Sequence, residues 1–272
     1  MNWKYILPPF VIDLSRKVNG YLSYLSQRRH ILHNTALKDK YKDQRVFILA
    51  TGPSIKQQDL RLLQHEKCIA VSNFFVHEDY KTIAPFLHVF ASTHAPLTEQ
   101  QIVSWFKEAD EKIPGTSTVL LALHDKQYCD RHRIFQTKDH YYYLSKFGNF
   151  PVNLAHNLPS YQTVVQLAIY AAIYMGFTEI NLLGVDHSWI LHYGESRHFY
   201  EEKEHKFTQN GYSEWIDDHL GDEFKKYVIL WEQYEEIIRN YKNSGIAIYN
   251  LSPESLLDLF PKKAFSQALS KK

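Results

Sequence analysis

Short apolar runs alternate along this chain with longer stretches that are polar or helix-periodic. Val46-Phe47-Ile48-Leu49-Ala50 is the first run, Cys68-Ile69-Ala70-Val71-Ser72 the second and Leu87-His88-Val89-Phe90-Ala91 the third. Ser117 to Ala122 forms a fourth and Ile180 to Val185 a fifth, and Ile246-Ala247-Ile248-Tyr249 closes the series. Continuous apolar runs without alternation mark strands covered on both faces, the condition of a parallel sheet. Between them, Val164, Val165, Leu167, Ala168, Ala171, Ala172 and Met175 recur at helical spacing, with Ser160 as the expected cap and Gly176 as the stop. A second amphipathic helix is predicted over Glu223 to Lys242, carrying Phe224, Tyr227, Val228, Trp231, Tyr234, Ile237 and Ile238 on one face.

The predicted architecture is α/β: a single Rossmann-like domain over residues 46–272, with a mostly parallel sheet flanked by helices. Residues 190–221 have no clean period and are too long for an ordinary connection, so they read as a lid. Residues 1–45 form a helical extension in which Val18, Tyr21, Leu22 and Leu25 are ringed by Arg16, Lys17, Arg28 and Arg29. Two readings of it stay open: a segment resting on an anionic membrane, or a helix packed on the domain's flank.

Composition narrows the class. The 272 residues are 44% hydrophobic and 22% charged, so a packed core is expected. A formal net charge of +1 gives no general field for nucleic acid. Cys68 and Cys129 build neither a disulfide framework nor a zinc spacing. The N-terminal apolar run, broken by Pro8, Pro9 and Asp13, is too short to span a bilayer and lacks a signal-peptide cleavage pattern. The expectation is a cytoplasmic protein, peripheral on the inner membrane if the extension binds lipid.

In open parallel sheets ligands bind beyond the carboxyl ends of the strands. Here those ends carry Thr51-Gly52-Pro53-Ser54, Asn73, Ser92, Asp186-His187-Ser188 and Asn250-Leu251-Ser252-Pro253. Many neutral hydrogen-bonding groups and few fixed charges suit a ribose, a base edge and a sugar. No G-x-G-x-x-G follows the first strand, and no G-x-x-x-x-G-K-[ST] loop, G-x-S-x-G elbow or zinc spacing occurs. No metal and no cofactor is expected. His187, after Asp186, is either a base oriented by that carboxylate or part of a structural pair.

Three segments resemble a known family. FILATGPSI, from Phe47 to Ile55, resembles the first strand and G-P-S turn of bacterial lipooligosaccharide sialyltransferases, glycosyltransferase family 42. AAIYMGFTEINLLGVDHS, from Ala171 to Ser188, is similar to that family's helix, strand and G-x-D element, and NLSPESLLDLFP, from Asn250 to Pro261, to its C-terminal motif. The first two elements are shared with motility accessory factors and hydroxymethylpterin-pyrophosphokinase-like proteins, and G-V-D-H stands nearer that broader group. The resemblance implies a nucleotide-sugar donor, CMP-linked and of nonulosonate type, held by Thr51, Gly52, Pro53, Ser54, Asn73, Ser92, Asp186, Ser188, Tyr193, Ser252 and Ser255. Thr51 and Ser92 stand where the sialyltransferases carry asparagine. It further implies inverting, metal-independent transfer to a hydroxyl of a surface glycan or glycolipid, with Ser188 and Tyr193 on the leaving phosphate. His219 would be the general base, with His187 second. Alternatives are an Mg-dependent pyrophosphokinase-like transfer or a non-catalytic nucleotide-binding protein, and a homo-oligomer stays open.

Overall fold

The computed structural model describes residues 9–145, 147–192, 199 and 219–270. The apolar runs become strands β1 (Arg45–Leu49), β2 (Cys68–Val71), β3 (Leu87–Val89), β4 (Thr118–Ala122), β6 (Glu179–Leu183) and β7 (Ala247–Asn250), joined by β5 (His140–Tyr143). They form one sheet in the order β5-β4-β3-β2-β1-β6-β7, every neighbouring pair parallel. The chain steps outward from β1 to β5, then returns to lay β6 against the other side of β1. Strand order therefore reverses between β1 and β6, the place where open α/β sheets form a crevice.

Both faces are covered, which is why the runs do not alternate. Val46 and Ile48 of β1 enter a core with α5 (Val164–Tyr174) and with Leu230, Tyr234 and Ile237 of α6 (Leu220–Tyr241). Phe47 and Leu49 enter the opposite core with α3 (Glu99–Lys112) and with Phe265 and Ala268 of α7 (Phe265–Leu269). Two short helices, α2 (Tyr80–Ile83) and α4 (Lys126–His132), complete that layer.

The extension opens with α1 (Pro9–Gln27), and its second half is built into the domain. Ile31 and Leu37 are core residues. Buried Asn34 donates through Nδ2 to the carbonyls of Tyr142 and Leu154, both at 2.7 Å. The amides of Asp39, Tyr41 and Asp43 bond the last carbonyls of the α5 end, those of Tyr174, Met175 and Gly176.

Several boundaries differ from the sequence expectation. Helix α5 is capped at Thr163 rather than Ser160, because the Oε1 of buried Gln166 accepts from the amides of Gln162 and Thr163. Helix α6 begins at Leu220, three residues early, with His219 as its cap. The short C-terminal helix follows the Ser252–Ser255 motif only at Phe265.

Candidate functional site

The β1/β6 crevice is closed at its floor by main chain. Ala50 N donates to Leu183 O at 2.9 Å and Gly52 N to Gly184 O at 2.8 Å, so the strand pairing continues into the turn. Gly52 has no room for a side chain: a Cβ there would lie 2.5 Å from Gly184 O and 2.6 Å from Asp186 Oδ2. Gly184 takes φ +66°, a left-handed conformation that glycine adopts without strain.

Asp186 holds the turn from the β6 side. Its carboxylate accepts from the Ser54 amide at 2.8 Å and from the Ser54 hydroxyl. Ser54 Oγ also lies 3.0 Å from Ser252 Oγ, and Ser252 N donates to Asn250 Oδ1 at 3.0 Å. Ser255 Oγ donates to Val185 O at 2.7 Å, while Leu256 N donates to Asp186 O. Gly52, Ser54, Asp186, Ser252 and Ser255, from three separate stretches of chain, thus meet in one knot. Ser54, Asp186, Ser252 and Ser255 are buried, whereas Pro53 is exposed at the mouth. The knot shapes the turn and holds it against the end of β6.

The neighbouring strand ends are set in the same way. Thr51 is buried, and its carbonyl accepts from Phe199 N at 2.9 Å, whose ring packs on Phe74 and His77. Asn73, after β2, accepts through Oδ1 from Trp105 Nε1 of α3 at 2.5 Å. After β3, Ser92 N donates to Tyr161 OH at 3.3 Å; the two phenols Tyr161 and Tyr143 are 2.6 Å apart, and Tyr143 OH donates to Phe90 O. Thr93 donates through both its amide and its hydroxyl to fully buried Asp125, whose carboxyl is raised by burial against the pull of those bonds. Tyr161, Tyr143, Trp105 and Asp125 were not reached from sequence. Each lies outside the turn it supports, in a segment whose pattern announces packing and nothing else.

The histidines separate clearly. Asp186 does not orient His187, because its carboxylate faces Ser54. His187 is buried at φ +48°, with Nε2 2.8 Å from Tyr234 OH and its carbonyl accepting from Tyr227 OH at 2.5 Å. Trp189, Trp231 and Tyr234 ring its imidazole. Burial pushes its pKa down to about 3, so it is neutral, and it anchors α6 to the end of β6. Ser188 is half-buried beside it. His219 is exposed, its backbone in extended conformation and its side chain making no cap bond. Tyr193 and most of the expected lid lie outside the described residues. Among the described residues, no group of three His, Cys, Asp or Glu is placed to hold a metal ion, and no helix is long and apolar enough to cross a membrane.

The fold itself is that of solved sialyltransferases. Monofunctional α-2,3-sialyltransferase Cst-I from Campylobacter jejuni matches with a TM-score of 0.52 at 15% identity, over 81% of this chain and 80% of that one. A point variant of sialyltransferase Cst-II in complex with CMP matches with a TM-score of 0.50 at 17% identity, over 84% and 89%. No protein-family model matches the chain, and no curated protein matches it in sequence.

Proposed function

We propose that this chain is a glycosyltransferase that takes a CMP-activated, nonulosonate-type sugar at the carboxyl rim of β6, β1, β2 and β3. The observation that carries this reading is the turn at Gly52, clipped by Asp186 through Ser54 at the point where strand order reverses. The clip holds the β1 turn against the end of β6 at the carboxyl side of the sheet, the place where open α/β folds bind nucleotides. Four neighbouring strands at about 4.8 Å spacing make a rim of roughly 14 Å. Thr51, Asn73 and Ser92 lie along it. The Cst-II variant of the same fold was solved with CMP, which supports the choice of nucleotide.

In the proposed reaction the acceptor glycan hydroxyl attacks the anomeric carbon from the face opposite CMP. The new C–O bond forms as the bond to the phosphate oxygen breaks, so configuration inverts. CMP leaves with the electron pair, and the acceptor proton passes to His219. Ser188 and Tyr193 would donate to the leaving phosphate, the role a metal plays elsewhere. Buried His187, neutral and bonded to Tyr234, suits a positioning role instead.

Titration calorimetry of the full chain with CMP, CDP, UDP, GDP and ATP tests the site. CMP should bind at least tenfold tighter than the purine nucleotides. Incubation with a CMP-nonulosonate and a galactoside should give a mass-resolved transfer product. Equal binding of all five nucleotides, or none, would sink the donor assignment.

A further inference from the structure

Helix α1 presents an apolar stripe to solvent that the fold leaves uncovered. Leu14, Val18, Tyr21, Leu22 and Leu25 are 40–59% exposed, a large fraction for side chains of this kind. At about 100° per residue they fall within a roughly 100° arc, extending about 16 Å along the axis. The opposite side of the helix is held by the domain: the carbonyl of buried Gly20 accepts from Asn157 Nδ2 at 2.6 Å, and Tyr24 stacks on His156 at 3.8 Å. The stripe therefore faces outward by construction and is not a poorly packed core face.

The charge around it is mostly positive: α1 carries Asp13 against Arg16 and Lys17, and Arg28 and Arg29 follow its end. From Leu14 to Lys38 the chain carries Arg16, Lys17, Arg28, Arg29 and Lys38 and not one Asp or Glu. Lys17, Arg28 and Arg29 are exposed; at about 100° per residue Lys17 lies about 40° outside one edge of the stripe, and Arg28 and Arg29 follow its C-terminal end in a 3-10 turn. Exposed Leu32 extends the apolar surface past the helix end. We infer that α1 docks this protein on an anionic lipid surface, lying in the plane of the interface. The apolar stripe sinks toward the acyl boundary while Arg28 and Arg29 reach headgroup phosphates. A parallel second copy of the helix is a poor occupant, since it would set Arg28 and Arg29 of one copy beside those of the other. The inference is independent of the donor-binding reading.

Flotation of the full chain with vesicles tests it without any activity assay. Phosphatidylcholine vesicles with about 30 mol% phosphatidylserine should retain the protein at least tenfold better than phosphatidylcholine alone, and salt at about 0.5 M should remove most of the difference. Arg28→Gln with Arg29→Gln should weaken partitioning about 30-fold at about 0.1 M salt. Leu14→Ser, Val18→Ser and Leu22→Ser together should weaken it about tenfold or more. All five positions are exposed, so both variants should melt with the parent, and the charge variant stands as an independent check should the apolar one misfold. Equal retention on both vesicle types, retention on neither, or a salt-resistant dimer lost in the apolar variant would overturn it.

Discussion

Asp186 spends both carboxylate oxygens on one residue, Ser54, and that single pairing fixes the shape of the turn between β1 and its neighbours. Asp186→Ala would leave the buried Ser54 amide without its acceptor, a change that typically costs about 1–3 kcal/mol, while the Ser54 hydroxyl keeps Ser252 Oγ. Gly52→Ala acts on the same knot from the other side. Its φ of −65° is ordinary, so no backbone strain is involved. The added methyl would overlap the Gly184 carbonyl and the Asp186 carboxylate, and neither is the loose end of a flexible chain. The turn must move off β6 to admit it. Both variants should lose most CMP affinity, and Gly52→Ala should lower stability by about 1–3 kcal/mol, as overpacking does. Calorimetry and urea unfolding measure the two effects. A Gly52→Ala protein that binds CMP like the parent would show that the turn is not the donor's cradle.

Helix α6 links the β6 rim to the residue proposed as base. Tyr227 and Tyr234 hold it to His187, and Gln166 of α5 donates to Leu230 O at 3.3 Å. His219 stands eight residues before Tyr227, about 12 Å along the axis at 1.5 Å per residue. Because its side chain makes no cap bond, His219→Ala should leave the melting temperature nearly unchanged. Transfer should fall about 10²–10⁴-fold, the usual contribution of a general base, with CMP affinity retained. Undiminished turnover in that variant would reject the assignment. Elements with one clear period were legible in the sequence, including α5, α6 and every strand with an aliphatic run. Strand β5 was not, because His140-Tyr141-Tyr142-Tyr143 carries no aliphatic residue and becomes a strand through its pairing with β4. Helix α3 was also missed, although Thr98 accepts from Gln101 N and Gln101 Oε1 accepts from Thr98 N in a capping box. At the site, residues in the turns themselves were legible. Their supports were not, since Tyr161 under Ser92 and Trp105 against Asn73 meet them only through tertiary packing.

Among the described residues two fully buried histidines are kept neutral, one in each core layer, and they set the molecule's response to acid. His88 is fully buried beneath β3: its Nε2 must donate to the Ser72 carbonyl at 2.8 Å, so Nδ1 accepts from Tyr80 OH at 2.9 Å. His187 lies on the α6 side. Burial pushes both down to about 3, and surface His33 and half-buried His77 are lowered in the same direction. A folded pKa below the unfolded one means that the unfolded chain binds more protons as pH drops under about 6.5. Stability is therefore full above that pH and is lost as pH falls toward 3. At pH 5 the loss should be about 2 kcal/mol for each of His88 and His187, from roughly 1.5 pH units at 1.36 kcal/mol per unit. Asp125, raised by burial, acts in the opposite direction, so the loss of stability from pH 7 to pH 5 is carried by the histidines. Urea unfolding should show about 4 kcal/mol less stability at pH 5 than at pH 7, a large share of the 5–15 kcal/mol that holds a typical domain. His88→Gln, which keeps a donor and an acceptor but cannot be protonated, should cut that difference by about half. A parent protein equally stable at both pH values would mean that the two imidazoles are not held neutral in the core.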